Sequence, residues 1–135
     1  MSFRDIRRKY GQNYLKDPAV LFEMGEAISA NQADNFVEIG PGLGALTNQI
    51  NKKGVNIIGV DIDAKNIEIL KTKFKGPANF QFINKDILKY DLTVSETNNR
   101  VVGNLPYNIS TPLIFHFLSF SPAVIDMHLM LQKRW

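Results

Sequence analysis

The sequence contains no cysteine. It therefore has neither a disulfide framework nor a thiolate metal site, which fits a reducing compartment, so we expect a cytoplasmic protein. No stretch approaches the ~18 consecutive apolar residues of a membrane span, and the start of the chain lacks an apolar segment of signal-peptide length. The two histidines, His116 and His128, lie in apolar segments and do not make a metal site. These absences predict no membrane, metal or disulfide chemistry.

The composition is that of one globular domain with a modest positive charge. The chain has 135 residues, of which 44% are hydrophobic, and its net charge is +3. We predict a basic arm over residues 1–17 and a single domain over 18–135. Such basic clusters neutralise phosphates of a nucleic acid, although a solvated charged surface is the alternative. The clusters are Arg4, Arg7, Arg8 and Lys9 in the arm, and Lys71, Lys73 and Lys75 near the middle.

Apolar runs and turn residues predict strands that alternate with helices. This alternation predicts an α/β fold with a parallel sheet covered on both faces, in which ligands bind at the carboxyl ends of the strands. Strands are predicted over residues 35–39, 55–60, 80–83, 100–103 and 124–131. The first helix is predicted to begin at Pro18, and its apolar face contains Val20, Leu21, Met24, Ala27 and Ile28. Further helices are predicted over 43–52, from Asp63 until Gly76-Pro77, and over 111–118. Phe115, Leu118 and Phe120 are predicted to lie in the core.

A glycine-rich turn follows the first predicted strand. Gly40, Gly42 and Gly44 alternate with other residues where strand becomes helix. Glycine permits a positive φ and lets a ligand approach the backbone closely, although a purely structural tight turn uses the same residues. The spacing Gly-x-Gly-x-Gly, with Pro41 in the first gap, differs from the Gly-x-Gly-x-x-Gly that aims a helix at a pyrophosphate. This favours S-adenosylmethionine over a nicotinamide dinucleotide as the cofactor.

Three acidic residues accompany the first three strands. Asp61 ends the second strand, where a carboxylate accepts hydrogen bonds from ribose hydroxyls. Asp86 lies just beyond the third strand, placed to meet an adenine amino group, and Glu38 lies inside the first strand, where it would hold the glycine turn. Each acid alone is more often a helix cap or a surface charge. Their joint position at successive strands predicts a cofactor site.

The segment Asn104-Leu105-Pro106-Tyr107 follows the fourth strand. Pro106 stiffens the turn because it fixes its own φ and keeps Leu105 out of the helical region. The Asn104 side-chain oxygen and the Leu105 carbonyl would accept both hydrogens of an adenine amino group, and Tyr107 would stack on the extruded base. The alternative is a loop that uses Asn and Pro for turn chemistry alone.

Four motifs, in order, closely resemble those of the ribosomal small-subunit RNA adenine dimethyltransferases, the KsgA family. They cover residues 11–15, 37–47, 103–112 and 126–133, so the resemblance extends over nearly the whole chain. The erythromycin-resistance rRNA methyltransferases, which modify a large-subunit adenine, are similar. Residues 110–112 and 126–133 look more like the small-subunit enzymes.

The resemblance implies a Rossmann-like class I methyltransferase fold and N6,N6-dimethylation of two adjacent adenines near the 3′ end of small-subunit rRNA. The donor would be S-adenosylmethionine and the partner an immature ribosomal small subunit. The resemblance also implies roles for individual residues. Asn13 and Leu15 would contact the donor from the arm, Gly40 would line its amino-acid end, Asp61 would bind its ribose and Asp86 its adenine, and Asn104 would lie between donor and target amine, with Leu105, Pro106 and Tyr107 completing the target pocket.

Members of the family are longer than this chain, with two further strands and a small helical domain. The resemblance therefore implies a truncated chain with an incomplete sheet of about five strands. Its last strand would be an exposed apolar edge through which the chain would dimerise or aggregate. Three rivals stay open: a nucleic-acid-binding assembly factor that does not rely on catalysis, a large-subunit rRNA adenine methyltransferase, and a nicotinamide-dependent oxidoreductase.

Overall fold

The computed structural model of the chain describes residues 17–92, 98–105, 110–119 and 123–131. These residues form strands that alternate with helices, as the sequence predicts. The elements are α1 (Pro18–Ile28), β1 (Asn35–Ile39), α2 (Ala45–Ile50), β2 (Asn56–Asp61), α3 (Ala64–Lys73), β3 (Asn79–Asn84), a 3-10 turn (Ile87–Lys89), β4 (Asn99–Leu105), α4 (Ser110–Leu118) and β5 (Val124–Leu131).

The five strands form one parallel sheet in the order β3-β2-β1-β4-β5. After β1 the chain builds outward through β2 and β3, and then returns to the other side of β1 to form β4 and β5. The switch point of this doubly wound α/β sheet therefore lies between β1 and β4. The predicted fold class and its five strands are confirmed.

The sheet is packed on both faces because apolar residues alternate along its strands. In β1, Phe36 belongs to one core cluster, whereas Val37 and Ile39 belong to the other. The first cluster contains Ile28, Leu46, Ile50, Ile57 and Val102, and the second contains Val60, Val101, Leu105, Leu113 and Phe117. We call the first face the α1 face and the second the α4 face, after the helices that contribute to them.

Local capping chemistry explains where the helices begin and end. Asp17 accepts a hydrogen bond from the Ala19 amide and precedes Pro18 at the first helical position, so α1 begins as the sequence predicts. The helix over 43–52 was predicted too long, because Gly44 at φ +91° is its N-cap and α2 spans only Ala45–Ile50.

Three residues predicted to lie on an apolar helix face (Ala27) or in the core (Phe115 and Leu118) are at the surface. Ala27 of α1 is exposed, and in α4 Phe115 is 67% and Leu118 is 56% exposed. Those three expectations were wrong, because the helical spacing of apolar residues identifies a face without showing what covers it. Phe120 lies outside the described residues. No helix in the described part of the chain has the length and apolarity needed to cross a membrane.

The amino ends of the strands, which we call the amino edge, carry a ladder of asparagines. Asn56 donates to Asn35 and Asn79 donates to Asn56, each at 3.0 Å, across strands that pair these residues directly. Asn99 begins β4 in register with Asn35 and donates to the Ala123 carbonyl. The ladder fixes the register of the parallel strands because a slip of one residue would separate the amides.

An arginine joins the amino edge to the chain before β1. Arg100 contacts both carboxylate oxygens of Asp126, with Nη2 to Oδ2 at 3.0 Å, and its Nη1 lies 2.8 Å from Asp34 Oδ2. It also donates to the carbonyls of Ile28 and Ser29. Although partial burial opposes ionisation, the hydrogen bonds and charge of Arg100 lower the pKa of Asp126.

Candidate functional site

The carboxyl ends of the strands, the carboxyl edge, bring the predicted site segments together. Ile39 pairs with Val60 of β2 and with Gly103 of β4. The residues that follow these three positions, Gly40, Asp61 and Asn104, therefore leave three neighbouring strands at the same level, where strands lie about 4.8 Å apart. The geometry places the glycine turn between the acid and the amide.

The glycine turn has one open end and one packed end. Gly40 has φ +57°, and a Cβ added there would meet nothing within 4 Å. Gly44 has φ +91°, and a Cβ there would lie 2.3 Å from the Phe74 ring. Both need glycine for their backbone conformation, but only Gly44 is also crowded. There is therefore open space beside Gly40, and its contact with a ligand stays a prediction.

Hydrogen bonds from β2 and α3 hold the turn in place. The Gly40 amide donates to the Val60 carbonyl at 2.9 Å, and the Gly42 amide donates to Asp61 Oδ2 at 3.1 Å. Lys73, predicted as part of a basic cluster, instead donates from Nζ to the Leu43 carbonyl at 2.8 Å. The turn is thus ordered by residues of the chain itself.

Asp61 is buried at the end of β2 and oriented by backbone amides. Its Oδ1 accepts from the Asp63 amide at 2.8 Å and its Oδ2 accepts from Gly42. Oδ2 also accepts from Asn66 Nδ2 at 3.4 Å, so the remaining lone pair lies on Oδ1, where it can accept from a ribose hydroxyl. The next residue, Ile62, is 69% exposed. Our sequence reasoning missed Ile62, although an apolar residue directly after a strand-end acid was the available signal.

Glu38 lies buried below the turn, on the α1 face. Thr47 of α2 donates from its hydroxyl to Glu38 Oε1. Desolvation by burial raises the pKa of Glu38 to about 7, against the hydrogen bond from Thr47, and the charge of Asp61 adds to the increase. Because Glu38 and Thr47 flank the glycine turn in the chain, their bond ties its two ends together, as expected of Glu38.

Asp86 follows β3 and caps the 3-10 turn. Its Oδ1 accepts from the Leu88 amide at 3.0 Å, and the side chain is half-buried. Asp86 therefore has the capping role that single acids commonly have, at the edge where adenine recognition is expected. Its contact with adenine stays a prediction.

Asn104 is the penultimate residue of β4, and its side-chain oxygen has no partner in the part of the chain that the structure describes. Oδ1 is buried, and no hydrogen bond to it is found among the described residues. A buried acceptor without a donor costs about 1–3 kcal/mol, so such atoms call for an explanation. Leu105 is fully buried in the α4-face core. Asn13, Leu15, Pro106 and Tyr107, also predicted as site residues, lie outside the described residues.

The histidines do not take part in this edge. His116 Nε2 lies 3.1 Å from the Tyr90 carbonyl, and His128 Nε2 lies 3.3 Å from Asp126 Oδ2. Within the described ranges, no group of three or more His, Cys, Asp or Glu side chains could hold a metal ion.

The fold and the site together define a class of protein. A doubly wound parallel sheet with an open glycine turn after its central strand, and an oriented acid after the next, is typical of nucleotide-cofactor-binding α/β proteins. The family model for ribosomal RNA adenine dimethylases matches residues 3–135, and the chain belongs to that family. The resemblance seen in the sequence is thereby confirmed.

Curated relatives from several bacteria carry the name ribosomal RNA small subunit methyltransferase A. That of Hahella chejuensis is 47% identical over 130 residues, covering 94% of this chain and 48% of the relative. That of Marinobacter nauticus is 48% identical over 129 residues, covering 94% of this chain and 47% of the relative. The chain spans about half the length of the curated relatives it matches.

Solved structures share the fold. A dimethyladenosine transferase from Plasmodium falciparum is 31% identical with a TM-score of 0.73, covering 87% of this chain and 42% of that one. The 23S rRNA methyltransferase ErmE has a TM-score of 0.73 at 21% identity, covering 87% and 47%. The plantazolicin methyltransferase BpumL, solved with SAH, has a TM-score of 0.68 at 18% identity, covering 93% and 53%. The last two show likeness of fold alone, and the Rossmann-like methyltransferase fold is confirmed.

Proposed function

We propose that this chain carries the donor-binding edge of an S-adenosylmethionine-dependent rRNA adenine N6,N6-dimethyltransferase. The proposed target is two adjacent adenines of small-subunit rRNA in an immature subunit. Family membership and the names of the relatives support this proposal. The observation that carries it is the buried Asn104 Oδ1, which has no partner within residues 17–92, 98–105, 110–119 and 123–131 and lies on the strand beside the open Gly40 turn.

The carboxyl edge fits S-adenosylmethionine. Free space over Gly40 would accept the amino-acid end, Asp61 would accept from the ribose hydroxyls, and exposed Ile62 would pack on the adenine. By contrast, α2 has only six residues, and its N-cap, Gly44, is packed against Phe74. It offers no open N-terminus to a pyrophosphate, which favours this donor over a dinucleotide.

S-adenosylmethionine, when bound, supplies an electrophilic methyl group on a sulfonium. The chain's own task is to orient the adenine amine and stabilise the positive charge that develops on its nitrogen. Asn104 Oδ1 is an acceptor already desolvated and without a competing donor among the described residues, so it would accept an amino hydrogen without first losing another bond. The Leu105 carbonyl, and Pro106 and Tyr107 beyond it, are proposed to complete the target pocket. Asn13 and Leu15 are proposed donor contacts.

The first test is donor binding by calorimetry. The chain should bind S-adenosylmethionine, and Asp61→Asn should weaken binding about tenfold or more, because an amide replaces one acceptor oxygen with a donor. Glu68→Gln, a change of the same kind on the exposed side of α3, is the matched control and should bind normally. Absence of donor binding by the unaltered chain would contradict the proposal.

The second test is transfer of labelled methyl groups to immature small subunits, with large subunits as the comparison acceptor. Asn104→Ala should reduce transfer about 100-fold or more, the usual cost of losing a transition-state hydrogen bond. Asn48→Ala, at an exposed position of α2, is the control. Transfer by Asn104→Ala at the unaltered rate would refute the role of Asn104, and preferential labelling of large subunits would refute the proposed target.

We also propose that two copies of this chain pair through β5. In the described part of the chain β5 pairs only with β4, and Ile125 is 60% and Leu131 is 47% exposed. An apolar edge strand of this kind is a template for pairing. Sedimentation should detect a dimer that Ile125→Lys converts to monomer, and a monomer at the highest concentration would count against the pairing.

A further inference from the structure

Glu38 is a buried carboxyl group that the proposed transfer reaction does not use. It lies two residues before Gly40, and strand alternation places it on the α1 face together with Asn104. Its direct neighbours across the sheet are Gly59 of β2 and Val102 of β4, neither of which has a polar side chain. Its solvation therefore depends on the Thr47 hydroxyl from α2.

Among the described residues, the charge that acts on Glu38 has the same sign as the ionised Glu38 carboxylate. Among the described residues, Asp61 is the charged group that acts on it, and a negative neighbour disfavours ionisation. Desolvation by burial is the larger cause in the same direction, and together they bring the pKa of Glu38 to about 7 against the lowering effect of the hydrogen bond from Thr47. A carboxyl in this setting responds strongly to any positive charge brought to the turn, because a nearby cation in a weakly solvated site favours the ionised form.

We propose that Glu38 is a positioning residue that loses its proton when a positively charged methyl donor binds over the Gly40 turn. This inference rests on the proposed function. The O–H bond of the Glu38 carboxyl breaks, the electron pair stays on the carboxylate, and the proton passes to the solvent. S-adenosylhomocysteine carries no sulfonium charge and should displace the proton less. The ionised group thereby favours the donor over the demethylated product.

A purely structural role for Glu38 makes a different prediction. If the Glu38–Thr47 bond only closes the base of the turn, donor binding exchanges no proton. Glu38→Gln separates these roles, since glutamine keeps the shape and an oxygen that accepts from Thr47 but cannot ionise.

The test is calorimetric titration of the full chain with S-adenosylmethionine and with S-adenosylhomocysteine at pH 7, in buffers of different ionisation enthalpy. Because a carboxyl with a pKa of about 7 is roughly half ionised at pH 7, a fraction of a proton, at most about one half, should be released per donor bound. Release should be clearly smaller with S-adenosylhomocysteine and absent in Glu38→Gln. Glu68→Gln should release as much as the unaltered chain.

Each outcome separates the two proposals. Donor binding with no dependence on buffer, or equal release by Glu38→Gln, would overturn the role of Glu38 and leave the proposed function standing. Failure of the unaltered chain to bind the donor in any buffer would overturn the proposed function itself. Preference for S-adenosylmethionine over S-adenosylhomocysteine should also diminish in Glu38→Gln, a change in relative affinity that a structural bond alone would not produce.

Discussion

At the amino edge, asparagines bond to one another across the strands and Arg100 satisfies two carboxylates and two carbonyls. At the carboxyl edge, Asn104 Oδ1 has no partner among the described residues and Glu38 is buried with a raised pKa. The polar groups at the amino edge stabilise the fold, whereas burial of Asn104 Oδ1 and of Glu38 lowers the free energy of unfolding. Buried polar groups that lower stability and lie together at one edge are expected where a ligand supplies their missing partners.

The largest effect on stability is expected when Arg100 is replaced, because this disrupts the contacts at the amino edge. Arg100→Leu should lower the free energy of unfolding by about 2–3 kcal/mol, because it removes the positive charge and the hydrogen bonds that Arg100 gives to two partly buried carboxylates and two carbonyls. Urea unfolding measures this. The stability of Arg100→Lys should lie between those of the unaltered chain and Arg100→Leu, since lysine keeps the charge but not the planar guanidinium group.

The stability that the Arg100 contacts contribute should depend on pH. Because the pKa of Asp126 is lowered in the folded chain, its contribution is present above the unfolded pKa and lost as pH falls through the folded one. Arg100→Leu should therefore flatten the acid limb of the stability profile. An unchanged acid limb would show that the pairing does not stabilise the fold.

The next effect concerns Glu38, and its sign is opposite. Its folded pKa of about 7 lies above the ordinary 4.5, so its contribution to stability is fully present below the unfolded pKa and lost as pH rises through the folded one. The loss between pH 5 and pH 7 should be about 2 kcal/mol. Unfolding of Glu38→Gln followed over this range should lack this decline. A parallel decline in both proteins would contradict the raised pKa.

A smaller effect is expected within the asparagine ladder. Asn56→Ala removes the middle amide, which both donates and accepts, and should cost about 1 kcal/mol in urea unfolding. Asn48→Ala, at an exposed position outside the ladder, should cost nothing measurable. Equal stability of the two variants would show that the ladder contributes no net free energy.

The smallest effect sharpens the contrast between the edges. Asn104→Ala should leave the free energy of unfolding unchanged or raise it by up to about 1 kcal/mol, because it removes a buried acceptor to which no described residue donates. Thermal unfolding without ligand measures this. Destabilisation as large as that of Asn56→Ala would mean that Asn104 has a structural role.

The order of the elements and most of the carboxyl edge were predictable from the sequence. Buried strands run directly into Gly40 and Asp61, and strand alternation with helices dictates that these ends meet at one edge. The family resemblance added residues that lie outside the described part of the chain, and those assignments stay predictions.

The amino edge was not predicted, for a physical reason. The ladder depends on the register of strands that are distant in the chain, and the partners of Arg100 come from a loop before β1 and from β5. A residue's type does not reveal a partner that only pairing of strands brings near. The exposure of Phe115 and Leu118 likewise depends on what covers α4, which helical spacing does not record.

The switch point between β1 and β4 also has a consequence for folding order. The turn at Gly40 emerges early in synthesis, but its neighbour Asn104 arrives only after β2 and β3 have been made. Pairing of β1 with β4 must close a long loop, and such distant pairings form late. A nascent chain that has completed only β1 to β3 should therefore hold half a pocket, and competence to accept a purine should appear in one step when β4 docks.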